Sequence, residues 1–278
     1  MSTETTHARI SRRQLASGRP RVSQRSQFVG LYGRELLRTF RNPWVLVITF
    51  VQPFMWLAFF GSSFSGASPA LVQQIFHTDS YIAFLLPGVL STSMLTVGMF
   101  GSMSTIQDKR FGFMKRILLT PTSKATVYWS KVLGSTSRGL IQIPVMIVAA
   151  LVFGVRFAGD PLMWVGWILG IFFLGLGMSC FFLAVTASST DWQTPGVISN
   201  FITMPLMFAS GALFPLANFP AWMQAIASVN PVSFSSLLGR GIVVFGTVDW
   251  SYLGYLAAFA GVMLVARTAI ASRYLKAE

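Results

Sequence analysis

The chain has 278 residues, of which 53% are hydrophobic and 10% charged, and its mean hydropathy is +0.62. A soluble globular domain carries roughly 25% charged residues, so the excess apolar surface faces lipid and soluble classes are excluded. The net charge of +13 does not indicate nucleic acid, because the basic residues are distributed as membrane topology would distribute them.

In chain order, Met1–Gln24 is rich in Ser, Thr and Arg without apolar periodicity and reads as a disordered basic tail. It is polar for too long before any apolar run to be a secretory signal. Over Ser26–Arg41 one helical face carries Val29, Tyr32, Leu36 and Phe40, and the other Gln27, Arg34, Arg38 and Arg41. Such a helix, placed at 25–42, lies in the membrane interface, and Asn42-Pro43 ends it. It either anchors the first span or docks a partner.

Spanning the hydrocarbon core takes about 20 mostly apolar residues. Six stretches qualify within 43–272: Trp44–Gly61, Tyr81–Ser104, Leu133–Phe153, Leu162–Ala187, Pro195–Phe214 and Tyr252–Ile270. The second and fourth hold no charge, while Arg138 and Arg267 lie near span ends, from which long side chains reach the headgroups. The expected fold is therefore all-α, with six transmembrane helices. Between the second and third spans, Gln107–Pro121 mixes Phe111, Phe113, Met114 and Ile117 with four basic residues. By composition it is a solvated positive loop or a short helix that a partner grips.

Gly166, Gly170, Gly175 and Gly177 give small-residue spacings that suit close helix packing, within the chain or across a dimer. Trp44, Trp164, Trp222 and Trp250 fall near span ends, as interfacial anchors do. After the fifth span, Ser210–Pro220 contains two prolines and a glycine. Ala221–Ser228 then suits a short interfacial helix, and Pro231–Phe245 is apolar apart from Arg240. Broken backbone at membrane depth needs protein or water-filled cover, so 215–245 is expected to be a re-entrant element packed on the outer ends of the spans.

Charge sets the expected orientation. Nine Arg lie in Met1–Pro43, seven basic residues from Lys109 to Arg138, and Arg267, Arg273 and Lys276 at the end. Only Arg156 and Arg240 fall outside. Because cytoplasmic loops carry excess Lys and Arg, both termini are expected in the cytoplasm of a multi-pass plasma-membrane protein.

No Gly-Lys pair exists, so the phosphate-binding loop is absent. His7 and His77 lie in loops, which leaves no zinc motif. The spans contain no Asp or Glu, against a proton- or sodium-coupled transporter. Cys180 is the only cysteine and sits in an apolar span, where packing is the expected role. A membrane-bound transferase would need a polar catalytic cluster, which is also missing.

Two motifs resemble those of permeases of type-2 ATP-binding-cassette exporters. Asp108-Lys-Arg-Phe-Gly-Phe-Met-Lys-Arg-Ile-Leu-Leu-Thr-Pro121 is similar to the segment after that family's second span. Its Phe-Gly-Phe core is closest to the daunorubicin-resistance branch. Ser210-Gly-Ala-Leu-Phe-Pro215, with Pro220-Ala-Trp222 and Asn230-Pro231, is similar to the family's signature before the last span. The likeness covers Gln27–Tyr274, and Lys109, Arg110 and Lys115 stand where acidic or neutral residues are common.

The resemblance implies a permease subunit without catalytic, cofactor or metal residues, ATP and Mg being held by two separate ATPase subunits. A second permease, identical or homologous, would complete the exporter. It implies a coupling helix over 108–119, in which Asp108, Lys109, Arg110, Phe111, Phe113, Met114, Lys115 and Arg116 meet the ATPase. It also implies an external gate containing Ser210, Gly211, Phe214, Pro215, Pro220, Trp222, Asn230 and Pro231. Phe-rich spans favour a hydrophobic drug or lipid-like cargo over a glycan, although glycan-exporting relatives share the architecture.

Overall fold

The computed structural model describes residues 23–274 except 65, 114, 115, 117, 118, 121, 158 and 188–192. The tail 1–22 lies outside them. Ten helices appear among the described residues: α1 (Gln24–Arg41), α2 (Pro43–Ser63), α3 (Pro69–Phe76), α4 (Tyr81–Arg110), α5 (Lys124–Val152), α6 (Pro161–Ala187), α7 (Gln193–Phe208), α8 (Ala221–Ala227), α9 (Pro231–Arg240) and α10 (Trp250–Tyr274). A π-turn, Gly241–Phe245, follows α9, and the described residues include no strand. Tyr81–Asp108, Lys124–Val152 and Pro161–Thr186 are long and apolar enough to cross a bilayer; Gly196–Phe208, Pro231–Phe245 and Trp250–Ala266 are apolar but shorter.

Helix α4 is the hub, packing on α2, α3, α5, α6, α7 and α9. Leu85, Leu86, Leu90, Met94 and Leu95 are sealed in a core shared with Trp167, Ile171, Leu174, Met178 and Phe182 of α6. The outer side of α6 carries α10. A Cβ at Gly166, Gly170 or Gly177 would press on Trp250, on Leu238 and Leu256, or on Phe259 and Ala260. These glycines serve packing within the chain.

Where lipid replaces water, every backbone polar group needs a partner in the protein. Pro53 lies inside α2 and cannot donate to the carbonyl of Thr49. Gln142 of α5 supplies that missing bond, its Nε2 donating to Thr49 O at 2.7 Å. Ser91, Ser93, Thr136 and Thr186 turn their hydroxyls back onto carbonyls four residues earlier. These four hydroxyls thus enter the core matched, whereas the buried hydroxyls of Ser199, Thr203 and Ser233 have no partner among the described residues.

Several helix ends differ from the hydropathy reading: α4 runs past Ser104 to Arg110, and α10 covers Trp250–Tyr274 rather than Tyr252–Ile270. Ser123 caps α5, accepting from Thr126 N, so the helix begins well before Leu133 and includes Lys131. Helix α7 stops at Phe208 rather than Phe214, because Gly211 adopts a φ of +64° and turns the chain back. Trp44, Trp222 and Trp250 are each more than half exposed.

Candidate functional site

At the C-terminal end of α4, three helices meet around buried charges. Asp108 Oδ2 accepts from Lys131 Nζ of α5 at 2.6 Å, and Lys131 also donates to Glu35 Oε1 of α1 at 3.2 Å. Asp108 Oδ1 faces Arg34 Nη2 at 3.3 Å and Arg38 Nη1 at 3.5 Å. Arg38 also donates to Gln107. Asp108, Glu35 and Lys131 are each at most 5% exposed. Buried ions are tolerated only when paired and hydrogen-bonded, and this cluster pairs each of them. Close approach of α1 to α5 depends on Gly134, where a Cβ would lie 2.8 Å from the Glu35 Cβ. Tyr32 and Ser137 add a 2.8 Å hydroxyl contact.

The segment after α4 hangs from the same cluster. Arg34 places its guanidinium carbon 3.6 Å from the Phe113 ring centroid, a cation–π contact. Asp108, Lys109 and Arg110 form the last turn of α4, and Gly112 at φ +68° breaks the helix after them. A single helix over 108–119 is thereby interrupted at its start, and the Asp108 side chain turns inward. Phe111 is 78% exposed and Arg116 is exposed. Met114 and Lys115 lie outside the described residues.

The opposite end of α4 holds the broken element. Ser210 accepts from Ala212 N at 3.2 Å and donates to Met207 O, closing the turn. Residues 209–213 are buried, and Tyr81 donates to Leu213 O at 3.1 Å. Arg240, 4% exposed, donates through Nε to Phe84 O at 3.1 Å and through Nη2 to Gly211 O and Ala212 O at 2.7 Å. Its guanidinium also stacks 3.6 Å from the Phe84 centroid.

Pro215 and Pro220 flank one 3-10 turn, Leu216–Asn218, before α8. Asn230 caps α9 by accepting from Val232 N, with Pro231 in the first turn, and it donates to Leu206 O at 2.7 Å. Phe214 and Trp222 are exposed. Ser251, through its hydroxyl and its amide, holds the carboxyl of Asp249 below the usual carboxylate range before α10.

The family model for ABC-2 type transporters matches residues 26–238. The chain belongs to that family. This permease is similar to the putative transport permease ycf38 of Porphyra purpurea, 28% identical over 227 residues that cover 80% of this chain and 75% of the relative. It is also similar to the daunorubicin resistance ABC transporter permease protein DrrB1 of Streptomyces coeruleorubidus, 25% identical over 223 residues (80% and 77%). A third relative is the inner membrane transport permease YadH of Escherichia coli, 21% identical over 205 residues (73% and 77%).

The chain is accordingly a multi-pass integral membrane subunit without a catalytic role, and permeases of this class pair with ATPase subunits. Sequence reasoning on the permease missed Glu35 and Lys131, and it counted Arg240 only as an outside charge within the apolar re-entrant stretch. The available signals were the lone acid among the arginines of α1 and the spacing of Lys131, Gly134 and Arg138 along one face of α5.

Proposed function

We propose that the permease is one half of the membrane pathway of an ATP-driven exporter for hydrophobic or amphipathic molecules. Six spans, with α1 in the interface, put both termini and the end bearing Asp108 in the cytoplasm. The re-entrant element 215–245, with the broken turn before it, then lies at the outer side as a gate. Two ATPase subunits and a second permease, the same or a sibling, complete the machine. Daunorubicin resistance in the name of DrrB1 supports a drug as cargo, and the aromatic spans favour a drug or lipid-like molecule over a glycan.

One observation carries the coupling reading: Arg34 touches both Phe113 in the segment after α4 and Asp108 within the bundle. A displacement of the segment by the ATPase therefore reaches α1, α4 and α5 together. Nucleotide binding on the partner shifts the permease between states only if it stabilises one of them differentially, and this linkage provides the route. Phe111 is the exposed apolar anchor, Arg116 a rim charge, and Phe113 the transmitting contact. By the family resemblance, Met114 and Lys115 also meet the ATPase.

Orientation is checked with single cysteines in a Cys180→Ser background. Gln73→Cys reacts with an impermeant maleimide from outside intact cells, and Lys124→Cys reacts only after the membrane is opened. Equal reaction of both from outside defeats the topology.

Coupling is checked by pull-down of the ATPase and by ATP-dependent transport in vesicles at matched permease levels. Phe111→Ala costs about 2 kcal/mol of docking, roughly a thirtyfold loss in affinity. Phe113→Ala retains the ATPase yet lowers transport, whereas Arg116→Ala changes mainly the salt dependence. Wild-type retention and transport in all three variants would reduce the segment to a positive-inside connector.

A further inference from the structure

We propose that a cavity beside Arg240 binds the anionic headgroup of an amphipathic molecule, with the guanidinium as its counter-ion. The cavity, of about 420 Å³, lies between α3, the Pro215–Asn218 turn, α9, the π-turn and the start of α10. That volume falls in the range of small-molecule sites. Its apolar wall includes Phe76, Phe84, Leu237, Phe245 and Tyr252, enough to receive an aromatic or alkyl body.

The charge balance of Arg240 identifies the headgroup. Among the described residues no carboxylate lies within ion-pair distance of this buried cation. Backbone carbonyls occupy Nε and Nη2, while Nη1 has no acceptor among the described residues on a side chain that lines the cavity. Asp249 also lines the cavity as an anion, its Oδ1 accepting from the amide and the hydroxyl of Ser251, but it makes no ion pair with Arg240 and leaves Nη1 open. Carbonyl dipoles and the Phe84 ring offset part of the charge. A carboxylate, sulfonate or phosphate oxygen on Nη1 would neutralise the rest by a charge-assisted hydrogen bond. The site does not depend on the export reading, since its occupant can be a bilayer lipid or a free amphiphile.

The test uses the full-length permease in phosphatidylcholine nanodiscs and two fluorescent probes. 8-Anilinonaphthalene-1-sulfonate carries an anion, and N-phenyl-1-naphthylamine has the same rings without it. The sulfonate shows a saturable component that Arg240→Gln weakens about tenfold or more, while the neutral probe changes by less than about twofold. Because Arg240→Gln also removes a pin on Gly211 and Ala212, Leu237→Trp is the second variant. It fills the cavity, leaves Arg240 and its carbonyl contacts in place, and weakens sulfonate binding at an unchanged melting temperature. No saturable sulfonate binding to wild type, an unaltered affinity in either variant, or equal loss of both probes in Arg240→Gln overturns the proposal. Adding phosphatidylglycerol to the discs separates the sources. Competition that requires Arg240 identifies a lipid headgroup, and its absence identifies a free amphiphile.

Discussion

Lys131→Met lowers the thermal midpoint of the purified permease by on the order of 10 °C and loosens α1 from α5. Lys131 is the one cation within hydrogen-bond reach of both Glu35 and Asp108 among the described residues. Its loss does not expose the two carboxylates equally. Glu35 keeps the buried Arg138 at longer range and otherwise only Arg34 at 3.7 Å, while Asp108 keeps Arg34 and Arg38. Both arginines are more than a third exposed along their side chains, so water screens them and their compensation is partial.

Breaking a buried pair by removing one partner typically costs about 3–5 kcal/mol, and each kcal/mol is worth roughly 2–4 °C in a chain of this size. Adding Glu35→Gln to Lys131→Met removes the orphaned charge and recovers part of the loss, a coupling that a double-mutant cycle measures. Differential scanning fluorimetry gives the midpoint, and hydrogen exchange over Gln24–Arg41 reports the docking of α1. A Lys131→Met permease that melts and exchanges like wild type rules out a stabilising role for the cluster.

That cluster marks the limit of what the sequence reveals. The helices α4 and α6 are legible because a bilayer demands long apolar runs, and Tyr81–Ser104 and Leu162–Ala187 supply them without a charge. Helix ends are less legible because they are set by single residues. Ser123 starts α5 and the positive φ of Gly211 follows the end of α7, while a hydropathy average weighs neither. Asp108 reads as a docking residue in its motif, yet its carboxylate pairs inward with a lysine on the next helix. Glu35 lies 96 residues from Lys131, and no local pattern in α1 announces a partner so distant. Arg240 reads only as the one charge in an apolar re-entrant stretch until folding surrounds it with the carbonyls of Phe84, Gly211 and Ala212.

Gly88→Ala disrupts the broken element more than any other single-methyl change in α4. A Cβ at Gly88 would collide with the carbonyl oxygen of Ala212 and lie 2.7 Å from its carbon and 2.9 Å from its Cα. All three are backbone atoms, so no rotamer change relieves the clash. Segment 209–213 cannot simply slide, because Arg240 holds the carbonyls of Gly211 and Ala212, and Tyr81 holds that of Leu213. Either α4 or the whole turn shifts, and those buried hydrogen bonds stretch with it.

Overpacking in a tight core costs about 1–3 kcal/mol, occasionally more, and the rigidity here argues for roughly the upper figure. Gly261→Ala in α10 is the control, since nothing lies within 4 Å of its added Cβ. There a methyl group gains helix propensity of up to about 1 kcal/mol. The two variants should therefore move the melting midpoint in opposite directions, and only Gly88→Ala should raise hydrogen exchange over 209–213. Transport falls with it if that turn is part of the pathway's outer end. Wild-type melting and exchange in Gly88→Ala would show that α4 and the turn are not in backbone contact, removing the packing basis for the gate.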